Sequence, residues 1–357
     1  MKAHQVKGQG QDKILNLSDH VLMNTPSNAP QETPSSSSPP DAAATPSSPN
    51  LVNSSEIIEN TPIFTHKPKA LSNIHELLDM IKFEHTVFAL PFALLGALAT
   101  SRGLPPLDKV LWIIVAMVAA RTAAMTFNRI ADRDLDGANP RTRDRALPAG
   151  RVSLGGAVAL LGLAIALFGF AAGRLGPLPW KLTPLALLII LGYSFCKRFT
   201  FLSHAVLGLA LAGAPLGAWI AVNGRVDPPA WWVALGVLTW TAGFDILYAL
   251  QDLSFDQERR LHSVPARLGV PAALWISRGL HLAALGAWAM FNLGMEAHLF
   301  PWLAWALVAG ILAREQWVVR GGRLERIDHA FFTLNSLVGL IFFTGHLMEW
   351  VVARLAP

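Results

Sequence analysis

The chain has 357 residues, 52% of them hydrophobic and only 15% charged, where a soluble domain carries about 25% charged residues. The apolar excess lies in long runs, which excludes a soluble globular class and gives an all-α, polytopic membrane protein. The net charge of +5 does not argue for nucleic acid, because basic loops retained on the cytoplasmic side of a membrane account for it; the single cysteine, Cys196, excludes an intramolecular disulfide.

Residues 1–66 differ from all that follows. The segment TPSNAPQETPSSSSPPDAAATPSSPN is Ser-, Pro- and Ala-rich without an aromatic residue, so it cannot bury enough apolar surface to fold and reads as a disordered cytoplasmic tail. The tail has no apolar core of a signal peptide and no arginine, so it reads as neither a secretory nor an organellar address. The membrane domain spans 71–357. Its first stretch, ALSNIHELLDMIKFE, reads as an amphipathic helix lying on the membrane.

About nine apolar runs then follow that can cross roughly 30 Å of hydrocarbon: 83–101, 107–128, 152–173, 182–197, 203–223, 230–251, 271–293, 299–319 and 330–353. The fourth is short. Tryptophans near the run ends, among them Trp112, Trp180, Trp231, Trp302 and Trp350, suit interfacial anchoring. Loops after the second, fourth, sixth and eighth runs carry Arg129 to Arg151, Lys197 and Arg198, Arg259, Arg260 and Arg267, and Arg320, Arg323 and Arg326. The opposite loops hold few basic residues, so the first set is cytoplasmic.

Chemistry concentrates on that face. In RTAAMTFNRIADRDLDGANPRTRDRALPAG, Asn128, Asp132 and Asp136 sit four residues apart, and each step of four on a continuous helix drifts only about 40°. Two carboxylates and an amide on one side are oxygen ligands for a hard cation such as Mg²⁺, and the surrounding arginines suit a polyphosphate. Four runs later, Asp245, Tyr248, Asp252 and Asp256 share a face in the same way, which hints at an internal repeat. A single aspartate there would be read as a cap or an interfacial anchor; two clusters with matching spacing on one face of the membrane would repel unless a divalent cation joined them. Between them, YSFCKRFTFLSH offers Lys197 and Arg198 to phosphate oxygens, although either residue alone also fits ordinary positive-inside topology.

N-x-x-x-D-x-x-x-D followed by RTRDRALPAG, then Y-x-x-x-KR, then Y-A-x-x-D-x-x-x-D, resembles the UbiA superfamily of intramembrane aromatic prenyltransferases. The resemblance covers the chain from about Leu71 onwards. It implies nine transmembrane helices around a central cavity, capped by cytoplasmic loops. It implies Mg²⁺-dependent transfer of a polyprenyl group from polyprenyl diphosphate to an aromatic hydroxy acid, of the 4-hydroxybenzoate or dihydroxynaphthoate type, in the inner membrane of a bacterium. The family's metal and diphosphate positions map onto Asn128, Asp132, Asp136, Asp252 and Asp256. Its basic contacts map onto Lys197 and onto Arg141 or Arg145. Asp245 or Tyr248 is then placed to polarise the acceptor hydroxyl or take the ring proton. Where 4-hydroxybenzoate enzymes carry an arginine and D-K-P, this chain has Lys82, Glu84, His85 and Thr86, which looks more like the branch associated with menaquinone made by the futalosine route. Lys82 is read as a partner for the acceptor carboxylate or as a snorkelling anchor, and His85 as a ring contact or a structural residue.

Two other classes compete. An ion-coupled transporter also shows intramembrane acids and an internal repeat, but its acids sit at the midplane of broken helices rather than beside loop arginines. Haem or chlorophyll side-chain prenylation stays open within the same superfamily.

Overall fold

The computed structural model describes Glu76 and residues 88–101, 104–320 and 333–355. The N-terminal tail, the membrane-surface helix apart from Glu76, and both Lys82 and His85 lie outside the described residues. Residues 65–357 form one unit, and all that follows concerns it.

Every regular element among the described residues is a helix. In chain order they are α1 (Leu90–Thr100), α2 (Leu107–Ala131), α3 (Arg133–Ala138), α4 (Leu154–Leu175), α5 (Pro177–Cys196), α6 (Ser203–Asn223), α7 (Pro228–Ala249), α8 (Leu253–Glu258), α9 (Val264–Gly294), α10 (Leu299–Val318) and α11 (Asn335–Leu355). Nine of them answer the nine apolar runs one for one, and α3 and α8 are short additions after the second and sixth. Seven, namely α2, α4, α5, α6, α7 with its extension to Glu258, α9 and α11, are long and apolar enough to cross a membrane. The described part of α1 is shorter, at 11 residues. Helix α10 has 20 residues and carries Arg314 and Glu315.

Local chemistry sets the ends. Ser153 Oγ accepts the Gly156 N–H at 3.0 Å and Ser263 Oγ accepts the Ala266 N–H at 3.4 Å, so both side chains cap the helices that follow α3 and α8. Pro177, Pro228 and Pro265 occupy first turns, where a missing N–H costs nothing. That is why the fourth span is not short: it starts at Pro177, a residue that the apolar pattern alone treats as a break. The span of α9 starts at Val264, before the apolar run at 271, but it is broken in between. Gly269, at φ 81° and ψ 167°, lies outside the helical region and separates a short first piece from the long helix that follows ahead of Pro271.

Helix α7 is the buried axis of the bundle, with α6 and α9 packed along it. Gly208 on α6 rests against the Leu238 carbonyl of α7 with no room for a Cβ, and Gly96 on α1 does the same against Pro215. Small residues matter here because lipid removes the hydrophobic drive between helices and leaves dispersion and interhelical hydrogen bonds to hold them. Aromatic rings supply much of that dispersion. Phe92 stacks on Trp288 at 5.4 Å between centroids, and Trp240 meets Phe244 edge-on at 5.0 Å; such pairs contribute about 0.5–1.5 kcal/mol beyond their area. Trp240 Nε1 also donates to Asn335 Oδ1 at 2.8 Å, tying α7 to α11.

The two acidic segments do not lie on continuous helices, as their spacing suggested. Helix α2 stops at Ala131, and Asp132 is a corner residue at φ −99°, ψ 10°. In the second segment a short 3₁₀ turn, Leu250–Asp252, ends in Asp252 at φ −100°, ψ 9°. The two corners have the same backbone conformation. The spacing of four survives the corner because the ladder does: Asp132 N donates to Asn128 O at 2.9 Å and Asp136 N to Asp132 O at 2.7 Å.

Candidate active site

Both acidic corners open onto one polar cavity of about 580 Å³, lined by Asn128, Asp132, Asp136, Asp245, Tyr248, Asp252 and Asp256 together with Arg141, Arg145, Lys197 and Arg198. Each acid faces a base. On the first corner, Asn128 Nδ2 donates to Asp132 Oδ2 at 2.9 Å and Arg198 Nη2 donates to Asp132 Oδ1 at 3.0 Å. Arg198 also donates to the Ala131 carbonyl at 2.5 Å, one of the orphan carbonyls at the end of α2. Asp136 is 7% exposed; its Oδ1 accepts from Arg145 at 2.6 Å, and its Oδ2 stands 3.6 Å from Arg129. On the second corner, Asp252 takes a two-pronged grip from Arg141, Nε to Oδ1 at 2.9 Å and Nη2 to Oδ2 at 2.5 Å, with Asn139 Nδ2 donating at 3.0 Å. Asp256 is 2% exposed and lies 3.9 Å from the Lys197 ammonium.

Asn139 and Arg141 therefore carry the loop after α3 across to the other half. The Arg141 backbone N–H donates to Asn139 Oδ1 at 2.9 Å, a local turn that fixes both side chains toward Asp252. Arg141 further donates to the Tyr248 hydroxyl at 3.3 Å and lies 5.5 Å over its ring. Burial works against the charged form of Arg141, but the hydrogen bonds and charge of Asp252 more than offset it and hold its pKa above the usual value. Burial pushes the Asp132 carboxyl above its ordinary range, with the charge of Asp136 adding to this and the Arg198 bond opposing it.

Among the described residues no three His, Cys, Asp or Glu side chains are gathered closely enough to enclose a metal by themselves. The donor set still suits Mg²⁺, which binds through one or two carboxylates plus substrate phosphates rather than in an all-protein cage. Asp136 Oδ2 and Asp256 Oδ2 are buried oxygens without a hydrogen-bond partner, one in each half. A buried acceptor left in that state is costly, and a hard cation would satisfy both.

A second, apolar cavity of about 220 Å³ adjoins the first. Arg121, Tyr193, Leu207 and Leu211 line both. Beyond them the walls are almost wholly apolar, from Ile113 and Met117 on α2, Leu182 and Ile190 on α5, and Ala210 and Gly217 on α6.

The UbiA prenyltransferase family model matches residues 89–337. The chain belongs to the UbiA family. It is similar to a 4-hydroxybenzoate octaprenyltransferase of Alkalilimnicola ehrlichii, 32% identical over 249 residues that make up 69% of this chain and 84% of the relative. A relative with the same description in Aliivibrio salmonicida is 30% identical over 242 residues, 67% of this chain and 84% of its own. Among solved structures, a UbiA homologue from Aeropyrum pernix K1 is 33% identical with a TM-score of 0.69, covering 76% of this chain and 98% of that one. A homologue from Archaeoglobus fulgidus bound to DMAPP and Mg²⁺ has a TM-score of 0.62 at 18% identity, covering 78% of this chain and 99% of that one, and shares the fold. The protein is thus a multi-pass membrane prenyltransferase, which displaces the transporter.

In this UbiA-family site, every described residue singled out from sequence lines the polar cavity. Four groups were missed. Arg129 lies seven residues before Asp136, a two-turn spacing that was legible, and Asn139 pairs with a residue 113 positions away, which was not. His204 holds Asp245 at 2.7 Å and was given no role from the sequence. Arg121 was counted among the surrounding arginines without a task, although its spacing of seven from Asn128 puts it on the same face of α2, about 10 Å deeper.

Proposed function

We propose that the protein transfers a polyprenyl group from its diphosphate to a carboxylated hydroxy-aromatic ring, with Mg²⁺, at the cytoplasmic face of a bacterial inner membrane. The observation that carries this reading is the single polar cavity ringed by paired acids and bases, opening past Arg121 into an apolar chamber. A diphosphate fits the first space and an isoprenoid chain the second. Fold relatives solved with DMAPP or GPP and Mg²⁺ support the donor class, and relatives named for 4-hydroxybenzoate support the acceptor class.

Asn128, Asp132 and Asp136 on one side and Asp252 and Asp256 on the other would hold Mg²⁺. Bound there, the metal supplies Lewis-acid neutralisation of the diphosphate oxygens. Lys197, Arg198, Arg141 and Arg145 are engaged by the acids without substrate and turn to the phosphate oxygens when it enters, trading one charge-assisted hydrogen bond for another. The bond between the allylic carbon and the diphosphate oxygen breaks and its electron pair leaves with diphosphate. A ring carbon ortho to the hydroxyl forms the new bond, and Asp245, beside Tyr248, receives the proton that this carbon loses. The apolar walls keep water from the allylic cation. Arg121, which lines the cavity, is a further candidate beside Lys82 for the acceptor carboxylate.

Membranes containing the protein, incubated with labelled polyprenyl diphosphate and a panel of aromatic acids, test this. Label is expected in 4-hydroxybenzoate or a dihydroxynaphthoate, and only with Mg²⁺; inserted protein that labels no hydroxy-aromatic acid removes the reading. The orientation rests on the basic loops. A cysteine introduced at Gly137 in a Cys196→Ser background is expected to resist an impermeant maleimide in intact cells and to react in inverted vesicles. The opposite pattern reverses the topology.

A further inference from the structure

His204 is 2% exposed at the start of α6, and its two ring nitrogens are committed in opposite directions. Nε2 accepts the backbone N–H of Val264 at 3.2 Å, while Nδ1 lies 2.7 Å from Asp245 Oδ2. Val264 opens α9, so its N–H has no partner within its own helix. A backbone N–H can only donate. Nε2 must therefore carry the lone pair, and the ring proton sits on Nδ1, directed at the carboxylate. Three helices meet in this arrangement: α6 supplies the imidazole, α7 the carboxylate and α9 the amide that fixes the tautomer. The contact of Gly208 with Leu238 one turn away holds α6 and α7 at the separation it needs.

Asp245 makes no other hydrogen bond among the described residues, and it lines the polar cavity. With Oδ2 engaged by the buried imidazole, Oδ1 is the oxygen left for the cavity.

We propose that His204 is a positioning residue, which locks Asp245 with one oxygen turned toward the acceptor ring and relays no proton itself. The inference rests on Asp245 being the group that receives the ring proton. It also sets the proton's route. Nε2 faces a backbone amide, not water or a second acid, so the imidazole cannot pass a proton onward. The proton moves from the ring carbon to Asp245 Oδ1 and returns to the cavity by the same face. In this the pair differs from a histidine–carboxylate couple in which the histidine does the proton transfer and the acid orients it; here the order is inverted.

The test measures kcat and both KM values with geranyl diphosphate and Mg²⁺, using whichever of 4-hydroxybenzoate and a dihydroxynaphthoate the wild type accepts. His204→Leu is expected to lower kcat roughly 10- to 100-fold through lost alignment, with the donor KM unchanged. His204→Gln should recover to within about threefold of wild type, because one amide can accept from Val264 and donate to Asp245 yet cannot act as an acid or base. In an Asp245→Asn background His204→Leu should add no further loss. His204→Gln as inactive as Asp245→Asn, or losses that multiply in the double variant, would overturn the proposal; the Gln arm decides even where the Leu variant melts early. Wild-type kcat in Asp245→Asn removes the base assignment itself. Full loss in Asp245→Asn beside wild-type kcat in His204→Leu removes the role of His204 alone.

Discussion

Asp136→Ala and Asp256→Ala are each expected to lower kcat by at least about a thousandfold while the protein still inserts and melts cooperatively in detergent, a barrier increase of about 4 kcal/mol at 1.36 kcal/mol per tenfold. These two acids are the deepest of their respective corners, at 7% and 2% exposure. Each has a buried Oδ2 without a hydrogen-bond donor. Removal of either carboxylate costs the resting protein its ion pairs, to Arg145 and the buried Arg129 or to Lys197, and lowers the melting temperature without preventing insertion. It costs the reaction far more, because diphosphate leaves only when its charge is neutralised, and a lost carboxylate takes away a point of attachment for the cation that does so. The removal also releases Arg145 from Asp136, and in the other variant Lys197 from Asp256. Both bases can still hold diphosphate, so the donor KM should change less than kcat. Steady-state assays across a Mg²⁺ titration check this. Near-wild-type kcat for both variants at low Mg²⁺ would remove the corners from the chemistry.

Some of this arrangement was legible in the sequence for a plain physical reason. A bilayer forces every backbone polar group into a helix, so apolar runs near 20 residues translate directly into elements. All nine did so, and the paired acids found one cavity because a spacing of four keeps residues on one side whether or not the helix is straight. That indifference is also why the corners at Asp132 and Asp252 were invisible: continuous and broken helices put the same residues on the same side. Pro177 misled one boundary, since a proline in a first turn carries the same letter as a true break, whereas Gly269 does break the helix, two residues before the apolar run starts. The bonds that finish the site, His204 to Asp245 across 41 residues and Asn139 to Asp252 across 113, follow from packing and leave no local pattern.

Arg121→Leu is expected to raise the acceptor KM by roughly 30-fold or more and to leave the donor KM within about twofold. Arg121 lies within α2, where a cation near the bilayer centre costs about 2.5–3.5 kcal/mol on insertion scales. Its Nε is buried without a hydrogen-bond partner, and no ion pair to it is found among the described residues. Arg129, Arg141, Arg145 and Arg198 by contrast all sit against aspartates. Among the described residues no carboxylate pairs with Arg121 where the polar and apolar cavities meet, which leaves it for an anion that arrives with substrate. Diphosphate is met nearer the corners by the other bases, so the anion that remains is the acceptor's carboxylate. Arg121→Lys should fall between wild type and Leu, because a point charge keeps the attraction and loses the two-pronged geometry. The deciding comparison removes the carboxylate from the substrate instead. Replacing 4-hydroxybenzoate by the corresponding phenol should cost the wild type as much as Arg121→Leu does, and should cost the Leu variant almost nothing. Removal of an unpaired cation from the membrane should at the same time leave the melting temperature unchanged or raise it, the usual exchange of stability for function at a binding site. A Leu variant that loses donor affinity instead would place Arg121 on the diphosphate and return the acceptor carboxylate to another base.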